Sequence, residues 1–289
     1  MWMIFAFGSS IFAGLTAILA KCGIKNMDSN VATALRTVIV LIFSWIMVFI
    51  VGSQGEIVQI SIETWIFLIL SGLATGASWL CYFKALQLGD INKVTPIDKS
   101  STVFTMLLAF IFLGEGLTGI KIMAMLCIGI GTYLMIEKKK VDKAQTSKSK
   151  NNSWLIYAIG SAVFASLTSI LGKVGIENVN SNLGTAIRTA VVLVMAWVVV
   201  WVTGKQHTVK QIDKKNGVFL VLSGLATGAS WLCYYRALQT GPASVVVPID
   251  KLSIVITIVF SYIVFKEKLS KKAFVGLIAI IAGTLMLLI

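Results

Sequence analysis

Long apolar runs follow one another along the chain, separated only by short polar breaks. Each is close to the ~20 residues, at 1.5 Å rise per residue, that a helix needs to cross a bilayer. Such runs fall at 2–20, 31–51, 65–86, 94–113 and 120–136. A polar, Lys-rich stretch "EKKKVDKAQTSKSKNNS" interrupts them, and five more follow at 154–172, 183–202, 218–238, 245–265 and 273–289. No stretch alternates apolar and polar residues with period two for long enough to make a barrel strand. The pattern predicts an all-α integral membrane protein of ten transmembrane helices.

The same pattern repeats internally. At a constant offset of 152 residues, Trp2 meets Trp154, Lys21 meets Lys173, Arg36 meets Arg188 and Gly89 meets Gly241. Further on, Pro96 meets Pro248, Asp98 meets Asp250, Glu115 meets Glu267 and Gly131 meets Gly283. "GLATGASWLCY" stands unchanged at 72–82 and at 224–234. The organisation this predicts is a first five-helix repeat at 1–137, a basic linker at 138–153 and a second five-helix repeat at 154–289. Five crossings leave the chain on the far side of the membrane, so the second repeat enters inverted. Inverted repeats are the plan of many secondary transporters.

Charge refines orientation. The chain carries 25 Lys and Arg against 12 Asp and Glu. The basic residues sit in short loops rather than on a soluble face, which excludes nucleic acid as the partner and makes the lipid bilayer the expected one. The loop "GSQGEIVQISIET" has no Lys or Arg, whereas its repeat partner "GKQHTVKQIDKKN" has four lysines. "GEGLTG" likewise becomes "KEKLSK", while Lys25 becomes Glu177 and Lys93 becomes Val245. By the positive-inside rule this places the linker in the cytoplasm and both termini outside, in a plasma-membrane protein. The first apolar run lacks a basic leader and an A-x-A site, and is read as a retained span.

Composition narrows the chemistry. Hydrophobic residues make up 57% of the chain and charged ones 13%, and mean hydropathy is +0.90. The single histidine, His207, lies in a polar loop, so a His-based catalytic centre or multi-His metal site is excluded. The four cysteines have no metal-type spacing and read as small packing residues. There is no phosphate-binding loop, nucleotide fingerprint, zinc motif or catalytic triad. A non-enzymatic protein without cofactor or metal is expected, and active transport would then run on a gradient or on exchange.

The motifs that carry a family resemblance come in the same order in both halves. They are "ALRT" and "AIRT" early in the second spans, "YFKAL" and "YYRAL" closing the third, "LGE" and "FKE" ending the fourth, and "GIGT" and "IAGT" in the last. The chain resembles the EamA-type transporters of the drug/metabolite transporter superfamily over nearly its whole length. It looks like two of the single-repeat, five-span members joined by a linker. The resemblance implies export or exchange of a small organic solute, such as an amino acid or amine, through a central cavity. That cavity would be lined by the first, third and fourth spans of each half. Ten-span members usually keep both termini in the cytoplasm, and the charges here argue for the reverse. A lipid-linked flippase or membrane scaffold of the same fold is the alternative function. Proton or counter-substrate coupling, and a monomeric or homodimeric state, are left open.

Ionisable and aromatic residues within the spans are the candidate substrate-binding set. "PIDKSS" contributes Asp98, Lys99 and Ser101, and "PIDKLS" contributes Asp250, Lys251 and Ser253. Asp98 precedes Glu115 by about 25 Å of helix, which puts it near an interface or a turn inside it. It reads either as an acid favoured by a helix dipole, with Lys99 snorkelling, or as a ligand for a cationic group or proton. Trp79 and Tyr82, with Trp231 and Tyr234, share a helical face and read as an interfacial belt or a stacking surface. Tyr235 adjoins them. Lys21, Lys173, Lys84 and Arg236 read as interface anchors or as gates. Arg36 and Arg188 are expected to bond helix C-termini or an acid. The small residues Gly72, Ala74, Gly76 and Ser78, and their partners Gly224, Ala226, Gly228 and Ser230, predict close helix packing. So do Gly129, Gly131, Gly276 and Gly283.

Overall fold

The computed structural model describes residues 1–23, 28–88, 94, 97–135, 153–211, 213–266 and 269–289. The basic linker and Pro96, Lys25, Lys93 and Glu267 lie outside the described residues. Among the described residues there are eleven α-helices and no strand. In the first half they are α1 (Trp2–Gly23), α2 (Ser29–Val51), α3 (Ile62–Leu88), α4 (Ser101–Phe112) and α5 (Gly119–Met135). In the second half they are α6 (Ser153–Gly175), α7 (Ser181–Val202), α8 (Lys214–Thr240), α9 (Ala243–Lys251), α10 (Ser253–Phe265) and α11 (Lys271–Met286). Seven stretches are long and apolar enough to cross a membrane, one of them running through α9 and α10, and α5 is a shorter apolar helix. Large apolar side chains such as Ile42, Ile46, Phe49, Leu126, Val194 and Ile278 stand exposed on the outside. A soluble protein would not expose so much apolar surface, and a bilayer accounts for it.

Local chemistry explains where the helices begin. Asp28 accepts from the amides of Asn30 and Val31 at the start of α2, and Asn180 accepts from Asn182 at the start of α7. Ser61 and Asp213 cap α3 and α8 in the same way, and Thr118 and Ser270 cap α5 and α11. Each is a short oxygen-bearing side chain of the kind that satisfies a free helix N–H. The members of each pair are twins in the repeat. Endings repeat too. Gly52 and Gly204 leave α2 and α7 in the left-handed conformation, with φ +76° and +68°. Gly114 (φ +63°) is matched by Lys266 (φ 57°), a side chain forced into a region that favours glycine.

The halves interlock. α1 packs along α8 and α3 along α6, α2 lies against α7, and α5 crosses α11. Each of these contacts is its own twin, or maps onto another, when the halves are exchanged. The small-residue stripe makes the close approaches. A Cβ on Gly72 would stand 2.7 Å from Val191, and one on Gly224 would stand 2.6 Å from Ile39. Gly131 and Gly276 bring α5 and α11 together so closely that a Cβ on either would lie 2.6 Å from the other's carbonyl oxygen. Crossings of this kind hold membrane helices together by packing alone.

Candidate solute cavity between the two halves

Hydroxyl groups line the seams of the interlocked halves. Ser78 donates to the Ser161 carbonyl at 3.0 Å, and its twin Ser230 donates to the Ser9 carbonyl at 3.1 Å. Ser71 donates to the Thr168 carbonyl at 2.7 Å, and Ser223 to the Thr16 carbonyl at 3.4 Å. Between these seams lies a cavity of about 260 Å3. α1 and α6 reach it with Ala13, Ala165, Thr168 and Ser169, and α3 with Thr75, Ser78 and Trp79. α7 contributes Arg188, α8 contributes Ser230, Trp231, Tyr234 and Tyr235, and α9 contributes Asp250 and Lys251.

Arg188 dominates the electrostatics. Only 2% of it is exposed. Its Nε donates to Ser71 at 2.9 Å and its Nη2 to Thr75 at 2.6 Å. The guanidinium carbon lies 4.8 Å from the Tyr235 ring centroid and 5.4 Å from that of Trp231. Both contacts are cation–π distances. Nη1 has no hydrogen-bond partner among the described residues. The expectation that this arginine bonds a helix terminus or an acid is corrected: its partners are two hydroxyls on α3. A packed helix–helix seam places hydroxyls, not helix ends, opposite the middle of α7.

Asp250 closes another wall. Ser9 donates to its Oδ1 at 2.5 Å, and Lys251 stands 3.8 Å from Oδ2. The twin arrangement is present at Asp98, where Ser161 donates at 2.7 Å and Lys99 lies 3.8 Å away. α9 contains Pro248, which has no N–H to donate, and the span is interrupted at Leu252 before α10 begins.

Beyond the cavity, a polar cluster joins α4, α6, α8 and α9. Glu115, just after α4, accepts from the amides of Ala243 at 2.6 Å and Ser244 at 3.0 Å, and from the Ser244 hydroxyl. A carboxylate here satisfies the free N–H groups at the start of α9 and meets its dipole. Lys173 lies 3.9 Å from Glu115 and donates to the carbonyls of Leu238, at 3.1 Å, and Gly241. Gln239 joins this end to the Ile176 and Val179 carbonyls at 2.6 and 2.7 Å.

The pattern of the EamA-like transporter family matches residues 1–137 and again 152–289, so it covers both halves. The chain belongs to the EamA-like transporter family. An "uncharacterized transporter in cobO 3′region" of Sinorhizobium sp is 44% identical over 137 residues, which are 47% of this chain and 97% of that protein. That relative is thus about as long as one half of this chain. An uncharacterised protein of Methanocaldococcus jannaschii is 29% identical over 100 residues, 32% of this chain and 73% of its own length. One crystal structure, 14% identical, superposes with a TM-score of 0.79 over 99% of this chain and 96% of its own, and shows the shared fold. This EamA-like protein is a multi-pass membrane protein of a transporter family, which points away from catalysis.

Within it, the structure gathers part of the expected binding set. Trp79, Trp231, Tyr234, Asp250 and Lys251 line the cavity together. Asp98, Lys99, Ser101, Tyr82 and Ser253 are not among its lining residues. Tyr82 packs instead on Ala85, Val94 and Ala158. Asp98 and Lys99 lie in the stretch before α4, and Ser101 and Ser253 begin α4 and α10. Sequence reasoning undervalues Arg188 and passes over Thr75, Thr168, Ser169 and the serines holding the two aspartates. A signal for all of these but Ser169, whose twin is Ala17, exists: Ser9, Thr16, Ser71 and Thr75 recur as Ser161, Thr168, Ser223 and Thr227. Hydroxyls that recur in register within apolar runs mark the seams.

Proposed function

We propose that this EamA-like protein is a secondary transporter that moves a small organic solute across the plasma membrane by alternating access. The observation that carries the reading is the central cavity, which presents Arg188, Asp250 and several hydroxyls and aromatic rings inside an apolar bundle. Buried charge in a membrane is costly and is usually kept for a substrate or ion path. A packed scaffold would have no use for such a lining, and a lipid path would not need charges of both signs. The volume suits a solute of amino-acid size, and Asp250 with Ser9 offers a place for an ammonium group.

The proposal takes the halves as five-span repeats, 1–137 and 154–289, inserted with opposite orientation, ten crossings in all. The exchangeable contacts between halves support this reading. Alternating access then follows from near-symmetry, because each half can adopt the other's arrangement and open the cavity to the opposite face. The Glu115–Lys173 closure lies at the end where both termini emerge, which the loop charges assign to the outside. Tyr82, Asp98 and Lys99, the twins of Tyr234, Asp250 and Lys251, would then serve the state open to the other face, whereas Ser101 and Ser253 are twins of each other and gain no place at the cavity by this exchange.

The test is reconstitution of the purified protein in liposomes, with uptake of a radiolabelled panel of amino acids, amines and organic acids followed across pH. The expected result is saturable uptake that falls in Asp98→Asn/Asp250→Asn. Uptake and pH dependence unchanged in that variant would remove the carboxylates from the path. Orientation is read by labelling Lys143→Cys and Glu56→Cys in intact cells. Labelling of Lys143→Cys from outside would reverse the assignment.

A further inference from the structure

We infer that Arg188 is the anchor for a carboxylate on the transported solute. The inference rests on the transporter reading above and names the chemistry of the same cavity. A guanidinium has donors on Nε and on both Nη atoms, in one rigid plane. Here Nε is used by Ser71 and one hydrogen of Nη2 by Thr75. Both hydrogens of Nη1 and the second of Nη2 remain. Nη1 is buried without a partner, on a side chain that is 2% exposed and lines the cavity. An unpartnered buried donor costs free energy, and a buried unpaired cation costs more.

No carboxylate among the described residues lies within ion-pair distance of Arg188. Asp250, the acid that shares its cavity, is held by Ser9, with Lys251 3.8 Å away. Ser71 and Thr75 fix the guanidinium from one edge, and the rings of Tyr235 and Trp231 hold its plane. What is left without a partner among the described residues is the Nη1/Nη2 edge, the edge that can take two carboxylate oxygens side by side; Nη1 is fully buried in this conformation, so the wall around it must yield to admit them. The missing counter-charge therefore comes with the solute. Trp79, Trp231 and Tyr234 around the same space fit an apolar or aromatic body behind that carboxylate.

The twin arginine does not duplicate this site. Arg36 is half-buried and reaches Ser223 only at 3.5 Å. The formed anion site is thus on the Arg188 side of the cavity.

The test uses the purified full chain in detergent, with binding read by thermal shift and by titration calorimetry. The probes are 3-phenylpropionate, its neutral amide 3-phenylpropionamide, phenethylamine and inorganic phosphate. The expected result is saturable binding of the carboxylate, at least about tenfold tighter than the amide, as loss of a hydrogen bond to a charged group implies. Arg188→Gln removes that preference, Arg188→Lys restores part of it, and Arg36→Gln leaves it in place. Equal binding of carboxylate and amide by the unaltered protein overturns the inference, whether or not Arg188→Gln folds. Binding of the amine or of phosphate without the carboxylate also overturns it. Carboxylate binding with no flux in liposomes keeps the anchor and sinks the transporter reading. Flux of amines without carboxylate binding does the opposite.

Discussion

Arg188 and Arg36 occupy twin positions in the repeat, yet they sit in different surroundings. Arg188 is buried, held by Ser71 and Thr75 and stacked on Trp231 and Tyr235. Arg36 has the same residue types at the twin hydroxyl positions, Ser223 and Thr227, but among the described residues it makes one long hydrogen bond, to Ser223. Thr227 donates to the Ser223 carbonyl and pairs with Thr16, just as Thr75 donates to the Ser71 carbonyl and pairs with Thr168; the twins differ in that Thr75 also accepts from its arginine. Elsewhere the halves agree closely. The helix caps, the glycine crossings and the Ser–Asp pairs are matched twin for twin. The difference teaches where the two halves are free to diverge. The scaffold that packs them is held symmetric, and the cavity is where symmetry is broken.

The comparison breaks most severely if the symmetric scaffold is disturbed. Gly131→Val and its twin Gly283→Val each push a side chain into a backbone carbonyl at the α5–α11 crossing, that of Gly276 and that of Ala124. Each is expected to cost about 3 kcal/mol or more of stability, since backbone cannot yield as a side chain can. Denaturation in mixed micelles checks this, and a loss in one variant only would show that the crossing is not shared. Next in size is the cavity. Arg188→Gln is expected to lower flux of a carboxylate solute by about tenfold or more, the scale of a hydrogen bond to a charged group. Arg36→Gln is expected to slow flux while leaving binding to the resting protein intact. Equal loss of binding in both would erase the asymmetry.

Smaller effects sharpen it. Glu115→Gln weakens the tie between α4, α9 and Lys173, and should cost about 1–2 kcal/mol through lost capping and ion pairing. Labelling of a cysteine at Ser169 from the outer face should rise in the same variant; no rise would separate Glu115 from closure. The smallest effect is at the helix ends. Lys266→Gly relieves a left-handed side chain and should gain about 1 kcal/mol, while Gly114→Ala at the twin loses about as much. Thermal unfolding in detergent reads both.

Much of the fold is legible in the amino-acid sequence. The apolar runs mark the helices, because a bilayer crossing needs a run of fixed length. The capping residues Asp28, Asn180, Ser61 and Asp213 stand where helices begin. The glycine stripes promise close crossings, which Gly72, Gly224, Gly131 and Gly276 make. The candidate site is legible only in part. Trp79, Trp231, Tyr234 and Asp250 announce themselves as unusual within apolar runs. Arg188 looks like any arginine two turns into a span. What decides its role is Ser71 and Thr75, more than a hundred residues away on the other half. That pairing exists only once α3 and α7 have packed. Likewise, Glu115 reads as the end of a span, since its partners at the start of α9 lie in the other repeat.

At the centre of the account, solute passes through the cavity between the halves. The direct measurement is flux through a blocked cavity. Ser169→Cys, in a background with the four native cysteines replaced by alanine, is reconstituted in liposomes and treated with a bulky maleimide. The account predicts that saturable uptake is abolished by the label and protected by saturating solute. Uptake that survives full labelling, or that never exceeds protein-free vesicles for any solute tested, would contradict it.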